Sequence, residues 1–228
     1  MIIAIIPARG GSKRIPRKNL KYFHGKPIIA YSIEAAIESG CFDKIIVSTD
    51  DAEIAQVARE WGADVPFVRP DNISDDHATT IEVIQHAIEW CEREGWILSS
   101  VCCVYPTAPF LHPDDIDRGL RLLRESDVQY VFSATTFEFP IQRAIYLDES
   151  AQPKMFQPEH LNTRSQDLID AYHDAGQFYW GKVDAFKKAL PIFANHSKLI
   201  FLPKTRVQDI DTPEDWVIAE LKYKALGY

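Results

Sequence analysis

Short apolar runs alternate with amphipathic stretches along most of this chain of 228 residues. The runs are rich in β-branched residues and predict buried strands, over residues 2–7, 44–48, 65–68, 100–105, 130–135, 176–181 and 198–202. The stretches between them have apolar residues at helical spacing, over residues 27–39, 51–61, 79–93, 113–125, 183–190 and from 213 onward. This alternation predicts a three-layer α/β fold with a mainly parallel central sheet. Thr80 and Asp114, or polar residues beside them, are expected to cap two of the helices.

Residues 137–177 interrupt this alternation, since they contain three prolines, several charges and isolated aromatic side chains. A structureless loop of this length is unusual inside a compact domain, so a local hairpin or a contact with a partner should order it. The chain as a whole is long enough for one well-buried core but short for two. We therefore predict a single domain over residues 1–228, with residues 137–177 inserted as an arm or lid.

The positive charge of the chain is concentrated near its N-terminus. The formal net charge is -8, which argues against a nucleic-acid partner because such binding needs a basic surface. Residues 1–33 nevertheless contain seven basic side chains and no carboxylate, which predicts a small polyanionic ligand. No apolar run approaches the roughly 20 residues that span a membrane, and the N-terminus lacks the layout of a signal peptide. We therefore expect a cytoplasmic protein with no membrane partner.

The predicted first strand leads directly into a loop of glycines and basic residues, with the sequence PARGGSKRIPRKN. Gly10 and Gly11 let backbone N–H groups approach an anion, while Arg9 and Lys13 supply charge-assisted hydrogen bonds to phosphate. The loop has neither Walker A nor GxGxxG spacing. We predict that residues 8–19 hold the triphosphate of a nucleotide. An ordinary glycine turn with a solvated basic face is the alternative.

Asp209 and Asp211 lie in the segment DIDTPEDW near the C-terminus. In an extended segment, side chains two residues apart point to the same side, so both carboxylates can share a divalent cation. Thr212, Pro213 and Asp215 fit the N-cap, N1 and N3 positions of a terminal helix. The alternative is that Asp209 is solvated and Asp211 merely precedes the cap. We predict a Mg²⁺ site here, which would offset triphosphate charge and polarise the attacked phosphorus.

Four segments taken together resemble those of the CMP-sialic acid synthetases, a family of cytidylyltransferases with a nucleotide-diphosphosugar-transferase type α/β fold. The segments are IIAIIPARGGSKRIPRKN, RPDNISDDHATT, YPTAPFLHPDDI and DIDTPEDW, and they span nearly the whole chain. The resemblance implies CTP as the nucleotide. It also implies a set of nucleotide-binding residues, namely Ala8, Arg9, Gly11, Ser12, Lys13, Lys18, Asn19, Arg69, Ala78 and Thr80. Asp76 is a secondary candidate for the nucleotide site, as a carboxylate that pairs with a cation of the first loop.

The same resemblance implies roles in catalysis for Arg9, Lys13, Asp211 and Arg164. Arg164 lies in the segment NTRSQDL of the arm, where the family carries an arginine that in several members reaches the active site of the partner subunit. The family's dimeric habit, together with the aromatic side chains of the arm, predicts a homodimer.

The acceptor sugar is implied by two further segments. The family's QPTSPL segment corresponds to YPTAPF in this chain, so Tyr105 replaces a glutamine. The family's NGAxY segment corresponds to YHDAGQFYWG, so Ala175 replaces an asparagine. The implied acceptor residues are Tyr105, Pro106, Thr107, Ala175, Gln177 and Tyr179. These replacements, with SDDH and PIQRA, resemble the pseudaminic acid subgroup, which implies an acidic nine-carbon sugar as acceptor. The alternatives are N-acetylneuraminic, legionaminic or 3-deoxy-octulosonic acid, and a regulatory module that binds CTP without turnover.

Overall fold

The computed structural model describes residues 1–75 and 78–228. The strands in these residues are β1 (Ile2–Pro7), β2 (Tyr22–Phe23), β3 (Lys26–Pro27), β4 (Lys44–Ser48), β5 (Ser100–Val104), β6 (Tyr130–Thr136), β7 (Ile145–Leu147), β8 (Pro153–Met155), β9 (Tyr172–Lys182) and β10 (Ser197–Phe201). The α-helices are α1 (Ile28–Glu38), α2 (Ala52–Glu60), α3 (Thr80–Arg93), α4 (Pro113–Glu125), α5 (Val183–Lys187) and α6 (Pro213–Ala225). No helix in the described residues is long and apolar enough to cross a membrane.

The central sheet joins its strands in the order β10–β6–β9–β5–β1–β4. β1 pairs in parallel with both β4 and β5, and β10 pairs in parallel with β6. β9 runs antiparallel to its neighbours β5 and β6. The sheet is therefore mainly parallel with one reversed strand, and the carboxyl ends of β1, β4 and β5 lie at the same edge.

Helices cover both faces of this sheet, and β1 shows why. Ala4 and Ile6 pack in a cluster with side chains of α1, α2 and α4, whereas Ile3 and Ile5 pack with α3 and α5. Successive side chains of a strand point to opposite faces, so an unbroken apolar strand requires cover on both sides. The predicted three-layer α/β fold is confirmed.

The predicted strand at residues 65–68 is wrong. Asp64 makes an isolated parallel bridge to Ile46, but the residues that follow it form no strand. Pro66 has no N–H to donate to a ladder, so the chain leaves the sheet edge at this point. The helix expected over residues 183–190 is also shorter, because α5 ends at Lys187.

The caps of two helices lie one or two residues before the predicted positions. Thr79, not Thr80, caps α3, and the carboxylate of Glu82 completes a capping box by accepting the Thr79 N–H at 2.7 Å. His112, not Asp114, caps α4, because its ring nitrogen accepts the N–H of Asp114. Thr80 is therefore the first helical residue of α3, and its hydroxyl, which does not cap the helix, lies beside the cleft described below.

The arm is ordered by a local hairpin, as predicted, because β7 pairs antiparallel with β8. Pairing of Thr136 with Tyr172 shows that residues 172–177 belong to the sheet and that residues 137–171 form the segment outside it. Several large apolar side chains of this segment are exposed, namely Phe139, Ile145, Leu147, Phe156, Leu161 and Ile169.

Gly181 of β9 offers a test of the packing between the sheet and α5. A Cβ at this position would lie 2.5 Å from the ring of Phe186 and 2.7 Å from that of Tyr130. We expect Gly181→Ala to lower the free energy of unfolding by about 1–3 kcal/mol, because overpacking displaces neighbouring side chains. Gly11→Ala is the control, since a Cβ there meets nothing within 4 Å. Urea denaturation measures both variants, and equal midpoints would contradict this account of the packing.

Candidate active site

An open cleft of about 520 Å³ lies beyond the carboxyl ends of β1 and β5. Ligands of parallel α/β sheets bind at this edge, where loops from several strands converge. The cleft brings together most of the site residues predicted from the sequence, namely Arg9, Ser12, Lys13, Lys18, Asn19, Arg69, Ala78, Thr80, Tyr105, Pro106, Thr107 and Asp211. Ala8, Gly11, Asp209, Ala175, Gln177, Tyr179 and Arg164 do not line it. Asp76 lies outside the described residues.

The loop after β1 is held in shape by hydrogen bonds of its own and from the neighbouring strand. The buried Asn19 side chain donates to the backbone oxygen of Arg9 at 2.9 Å, which closes the loop. The Gly10 N–H donates to the Asp50 carboxylate at 2.9 Å. Ala8 is fully buried, and its N–H continues the pairing of β1 with β4. These three contacts fix the backbone of the loop at Ala8, Arg9 and Gly10.

Arg17 forms part of this scaffold and does not line the cleft. It adopts a left-handed backbone conformation with φ of 55°. Its guanidinium forms ion pairs with Asp51 and Glu53 at the start of α2. The hydrogen bond from Arg17 is the main reason that the pKa of Asp51 is lowered. Asp50 and Asp51 are not among the predicted site residues, although their position at the carboxyl end of a predicted parallel strand is a signal that they adjoin the loop after β1.

Arg69 supplies a buried positive charge at the cleft. It is 4% exposed, and its guanidinium donates to the Ser48 hydroxyl at 3.1 Å and to the Ser48 backbone oxygen. Burial lowers the pKa of Arg69 to about 10, so the side chain stays charged at neutral pH. The remaining donors of a guanidinium fixed in this way suit an anion in the cleft.

Asp211 enters the cleft opposite the first loop and contacts two of its cations. Its Oδ2 lies 2.7 Å from Arg14 Nη2, and its Oδ1 lies 3.4 Å from Lys18 Nζ. Lys18 also donates to the backbone oxygen of Ile210 at 2.6 Å. Arg14 is one of the seven basic residues near the N-terminus, but no local pattern predicts a role for it, because its partner Asp211 is almost two hundred positions away.

Asp209 lies beside this carboxylate but does not line the cleft. Much of its side chain is open to solvent, yet the surrounding protein partly desolvates the carboxyl and, with Asp211, raises its pKa. The predicted cap of the terminal helix is confirmed, since Thr212 and Asp215 form a capping box. Asp215 also accepts the Asp211 N–H at 3.1 Å, which fixes the backbone of the acidic segment.

These two carboxylates fit a magnesium ion in ligand type and in charge. Mg²⁺ prefers oxygen ligands and usually takes only one or two carboxylates, with water and phosphate completing its shell. Desolvation is the main cause of the raised pKa of Asp209, and repulsion from Asp211 is the second cause. A bound cation would relieve this repulsion. No group of three or more His, Cys, Asp or Glu residues arranged for a metal occurs within residues 1–75 and 78–228.

The opposite wall of the cleft is built around Tyr105. Its hydroxyl lies 3.5 Å from that of Thr80, and its ring centroid lies 5.3 Å from that of Tyr179. Tyr179 donates a hydrogen bond to the Asp174 carboxylate. Desolvation is the main reason that the pKa values of both tyrosines are raised, so both hydroxyls stay protonated at neutral pH. Asp174, which is not among the predicted site residues, supports this wall from behind.

A bulge in β9 explains why Ala175 and Gln177, two of the predicted acceptor residues, lie away from the cleft. The pairing of β9 with β6 is irregular around residues 175–178, where Gly176 adopts φ of 61°. Ala175 and Gln177 are buried by this bulge, and Tyr179 stands behind the Tyr105 ring. None of the three lines the cleft. Bulges of this kind are common next to active sites because they redirect side chains.

Gln177 connects two walls of the cleft. Its backbone oxygen accepts the Tyr105 N–H at 2.9 Å, and its side-chain amide donates to the backbone oxygen of Arg206 at 2.6 Å. The Arg206 guanidinium in turn lies 2.6 Å from a carboxylate oxygen of Asp115, which is 3% exposed. The Tyr105 wall, the first turn of α4 and the segment that leads to Asp211 are therefore joined by largely buried polar contacts.

Arg164 and Arg9, two of the predicted catalytic residues, differ in their position relative to the cleft. Arg164 lies in the arm, where its side chain is 72% exposed and forms an ion pair with Asp167 at 2.8 Å. Within one chain it does not line the cleft. Arg9 does line the cleft, and its guanidinium donates to the backbone oxygen of Asp75 at 2.8 Å.

The three-layer fold, with a basic loop facing an acidic segment across a cleft, defines an α/β nucleotide-binding enzyme. The chain belongs to the cytidylyltransferase family, which it matches over residues 3–220, so the predicted family is confirmed. It is 49% identical to pseudaminic acid cytidylyltransferase of Campylobacter jejuni subsp. jejuni, over 97% of this chain and 96% of that protein. It is 30% identical to CMP-N,N'-diacetyllegionaminic acid synthase of Legionella pneumophila subsp. pneumophila, over 96% and 94% of the two chains. Its fold matches that of CMP:2-keto-3-deoxy-manno-octonic acid synthetase complexed with CTP, with TM-score 0.69, 15% identity and coverage of 99% and 98%.

The buried contact between Asp115 and Arg206 generates a stability prediction. Asp115→Ala leaves the Arg206 guanidinium, 18% exposed, without its carboxylate. We expect the free energy of unfolding to fall by about 3 kcal/mol, because a mostly buried charge loses its partner. Asp117→Ala on the same helix is the control, since it removes the exposed partner of Arg121 and should cost less than about 0.5 kcal/mol. Chemical denaturation compares the two, and similar losses would contradict a special role for the buried pair.

Proposed function

We propose that this enzyme transfers CMP from CTP to pseudaminic acid and releases pyrophosphate. The observation that carries the proposal is the cleft itself, where the basic first loop faces Asp211 and the Tyr105 wall lies beside them. The names of the similar proteins support the same reaction class, since each describes either a cytidylyltransferase or the synthesis of a CMP-linked acid sugar. The acceptor's anomeric hydroxyl would attack the α-phosphorus as the bond to pyrophosphate breaks.

The first loop and Arg69 would hold the triphosphate. Arg9, Lys13 and Lys18 offer charged donors along one side of the cleft, and the buried Arg69 offers a fixed guanidinium. Phosphoryl transfer needs little covalent chemistry from the protein, so positioning and charge stabilisation account for most of the rate. The hydrogen bonds that hold the loop from Asn19 and Asp50 reduce the cost of ordering it around the nucleotide.

Mg²⁺ is the proposed cofactor, with Asp209 and Asp211 as its protein ligands. Their mutual repulsion and oxygen chemistry support this assignment. When bound, the ion would offset negative charge on the triphosphate and on the departing pyrophosphate. Asp215 and Lys18 hold the backbone of this segment, which keeps the Asp211 carboxylate directed into the cleft.

The acceptor would bind against Tyr105, Pro106 and Thr107, which line the cleft next to Thr80. An aromatic and partly apolar wall suits a dideoxy, diamino sugar better than a fully hydroxylated one, because fewer hydroxyls lose water without gaining a partner. Asp174 and Tyr179 would act indirectly, by fixing the position of the Tyr105 ring. The proposed location of the reaction is the cytoplasm, where nucleoside triphosphates are available.

Asp211→Asn tests the metal assignment. We expect kcat for pyrophosphate release to fall by about 100-fold or more, because charge stabilisation of the transition state is lost. CTP should still bind, since the first loop and Arg69 are unchanged. Asp64→Asn is the control, because Asp64 forms an exposed ion pair with Lys44 at 3.0 Å and does not line the cleft. Turnover of the Asp211 variant at close to the wild-type rate would end the metal assignment.

The same assay separates the possible acceptors. Wild-type enzyme with CTP and Mg²⁺ should release pyrophosphate with the highest kcat/KM when pseudaminic acid is the acceptor. N-acetylneuraminic, legionaminic and 3-deoxy-octulosonic acids are the comparison substrates. Binding of CTP without pyrophosphate release in the presence of any of these acids would instead favour a regulatory module.

We also propose that the enzyme is a homodimer formed through residues 137–171. The exposed apolar side chains of this segment support the proposal, because a second copy would remove them from water. The position of Arg164 agrees with it, since an exposed arginine on this segment could complete the partner's cleft.

Two charges placed in the hairpin test this dimer. Ile145→Lys combined with Leu147→Lys should convert dimer to monomer, because like charges would meet at the interface. It should also lower kcat by about tenfold or more, because Arg164 would no longer reach the partner's cleft. Ile97→Lys is the control, since Ile97 is 85% exposed and lies outside the arm. Sedimentation velocity and pyrophosphate release measure the two effects. A wild-type protein that is monomeric and fully active would contradict the proposal.

A further inference from the structure

We infer that Arg14 is an exchangeable counterion of Asp211, which covers this carboxylate in the nucleotide-free enzyme and moves to the triphosphate when CTP binds. Metal binding would then depend on the nucleotide. The inference rests on the proposed function, because it takes Asp211 as a ligand of the metal and the cleft as the site of CTP.

The geometry around Asp211 distinguishes two kinds of cation. Lys18 is 18% exposed and is fixed by a second bond, to the backbone oxygen of Ile210. Arg14 is 64% exposed, and its guanidinium reaches Asp211 Oδ2 at 2.7 Å from the rim of the cleft. Lys18 is therefore a fixed neighbour of the carboxylate, whereas Arg14 is held mainly by a solvent-exposed ion pair.

A metal ion and Arg14 compete for the same oxygen. A cation that binds Oδ2 must displace the guanidinium or approach it closely, and two positive charges at that distance repel each other. An exposed ion pair contributes little, so the guanidinium leaves readily when a better partner is available. Arg14 itself lines the cleft, where a triphosphate would offer several charged oxygens and paired hydrogen bonds.

The exchange couples the two ligands. CTP would draw Arg14 away from Asp211 and so raise the affinity of the carboxylate for the metal, and by linkage the metal would raise the affinity for CTP. The enzyme without nucleotide would bind the metal weakly, because its ligand is already neutralised. Removing Arg14 should therefore strengthen metal binding in the absence of nucleotide, which is the opposite of what loss of a simple structural contact would do.

The test uses Mn²⁺ as a probe, followed by electron paramagnetic resonance and calorimetry on the full chain without acceptor. Arg14→Gln should bind Mn²⁺ alone about threefold or more tightly than wild type, on the scale of a weak exposed ion pair. It should also reduce the factor by which CTP tightens Mn²⁺ binding. Arg14→Lys keeps the charge and should resemble wild type more closely than Arg14→Gln.

Arg121→Gln is a matched control, because Arg121 forms an ion pair with Asp117 at the same 2.7 Å and is 60% exposed. It removes one positive charge from a similar surface pair and should leave Mn²⁺ affinity unchanged. Equal affinities of wild type and Arg14→Gln for Mn²⁺ alone would overturn the inference while leaving the proposed reaction intact. If Asp211→Asn bound Mn²⁺ and CTP together as wild type does, the metal site itself would fail.

Discussion

Electrostatic repulsion within the first loop is the constraint on which the cleft depends. Five basic side chains and no carboxylate occupy residues 8–19, so this loop cannot neutralise itself. Its partners come from elsewhere in the chain: Asp51, which follows β4, pairs with Arg17, and Asp211, which precedes α6, pairs with Arg14. Asp50, beside Asp51, accepts the backbone N–H of Gly10. Parallel pairing of β1 with β4 brings Asp50 and Asp51 beside the loop. The strand order therefore decides which charges the loop meets.

These acids divide the cations of the loop into separate roles. The Arg17 guanidinium is occupied by two ion pairs at the start of α2, so this residue holds the loop backbone in place and does not face the cleft. Lys18 is anchored beside Asp211, and Arg69, in the loop that returns to the end of β4, adds a buried charge next to Ser48. Arg14 remains at the exposed rim. A segment that looks uniformly basic in sequence thus contains fixed structural cations and cations that are able to change partner.

The sequence predicts the elements better than the contacts between them. Periodicity and capping residues are local signals. The three-layer fold follows from the first, and the cap formed by Thr212 and Asp215 follows from the second. The pairing of Asp115 with Arg206 joins residues ninety-one positions apart, and no local pattern indicates it. The matching of motifs placed Ala175 and Gln177 at the acceptor, but it carries no backbone angles. The left-handed Gly176 and the resulting bulge turn both residues into the interior.

The reversed strand β9 has a consequence for how acceptor choice and catalysis are related. Its bulge gives Gln177 one contact with the backbone of Tyr105 and another with that of Arg206, five residues before Asp211. Gln177 is buried and its contact with Arg206 is partly buried, so a shift at one of these contacts is passed on to the packed neighbours. A substitution that moves the Tyr105 wall to fit another sugar therefore also disturbs the support of the acidic segment. With the proposed acceptor site at the Tyr105 wall, acceptor specificity and the placement of Asp211 are mechanically coupled, and we expect a change of sugar to require compensating changes along β9 and not at the wall alone.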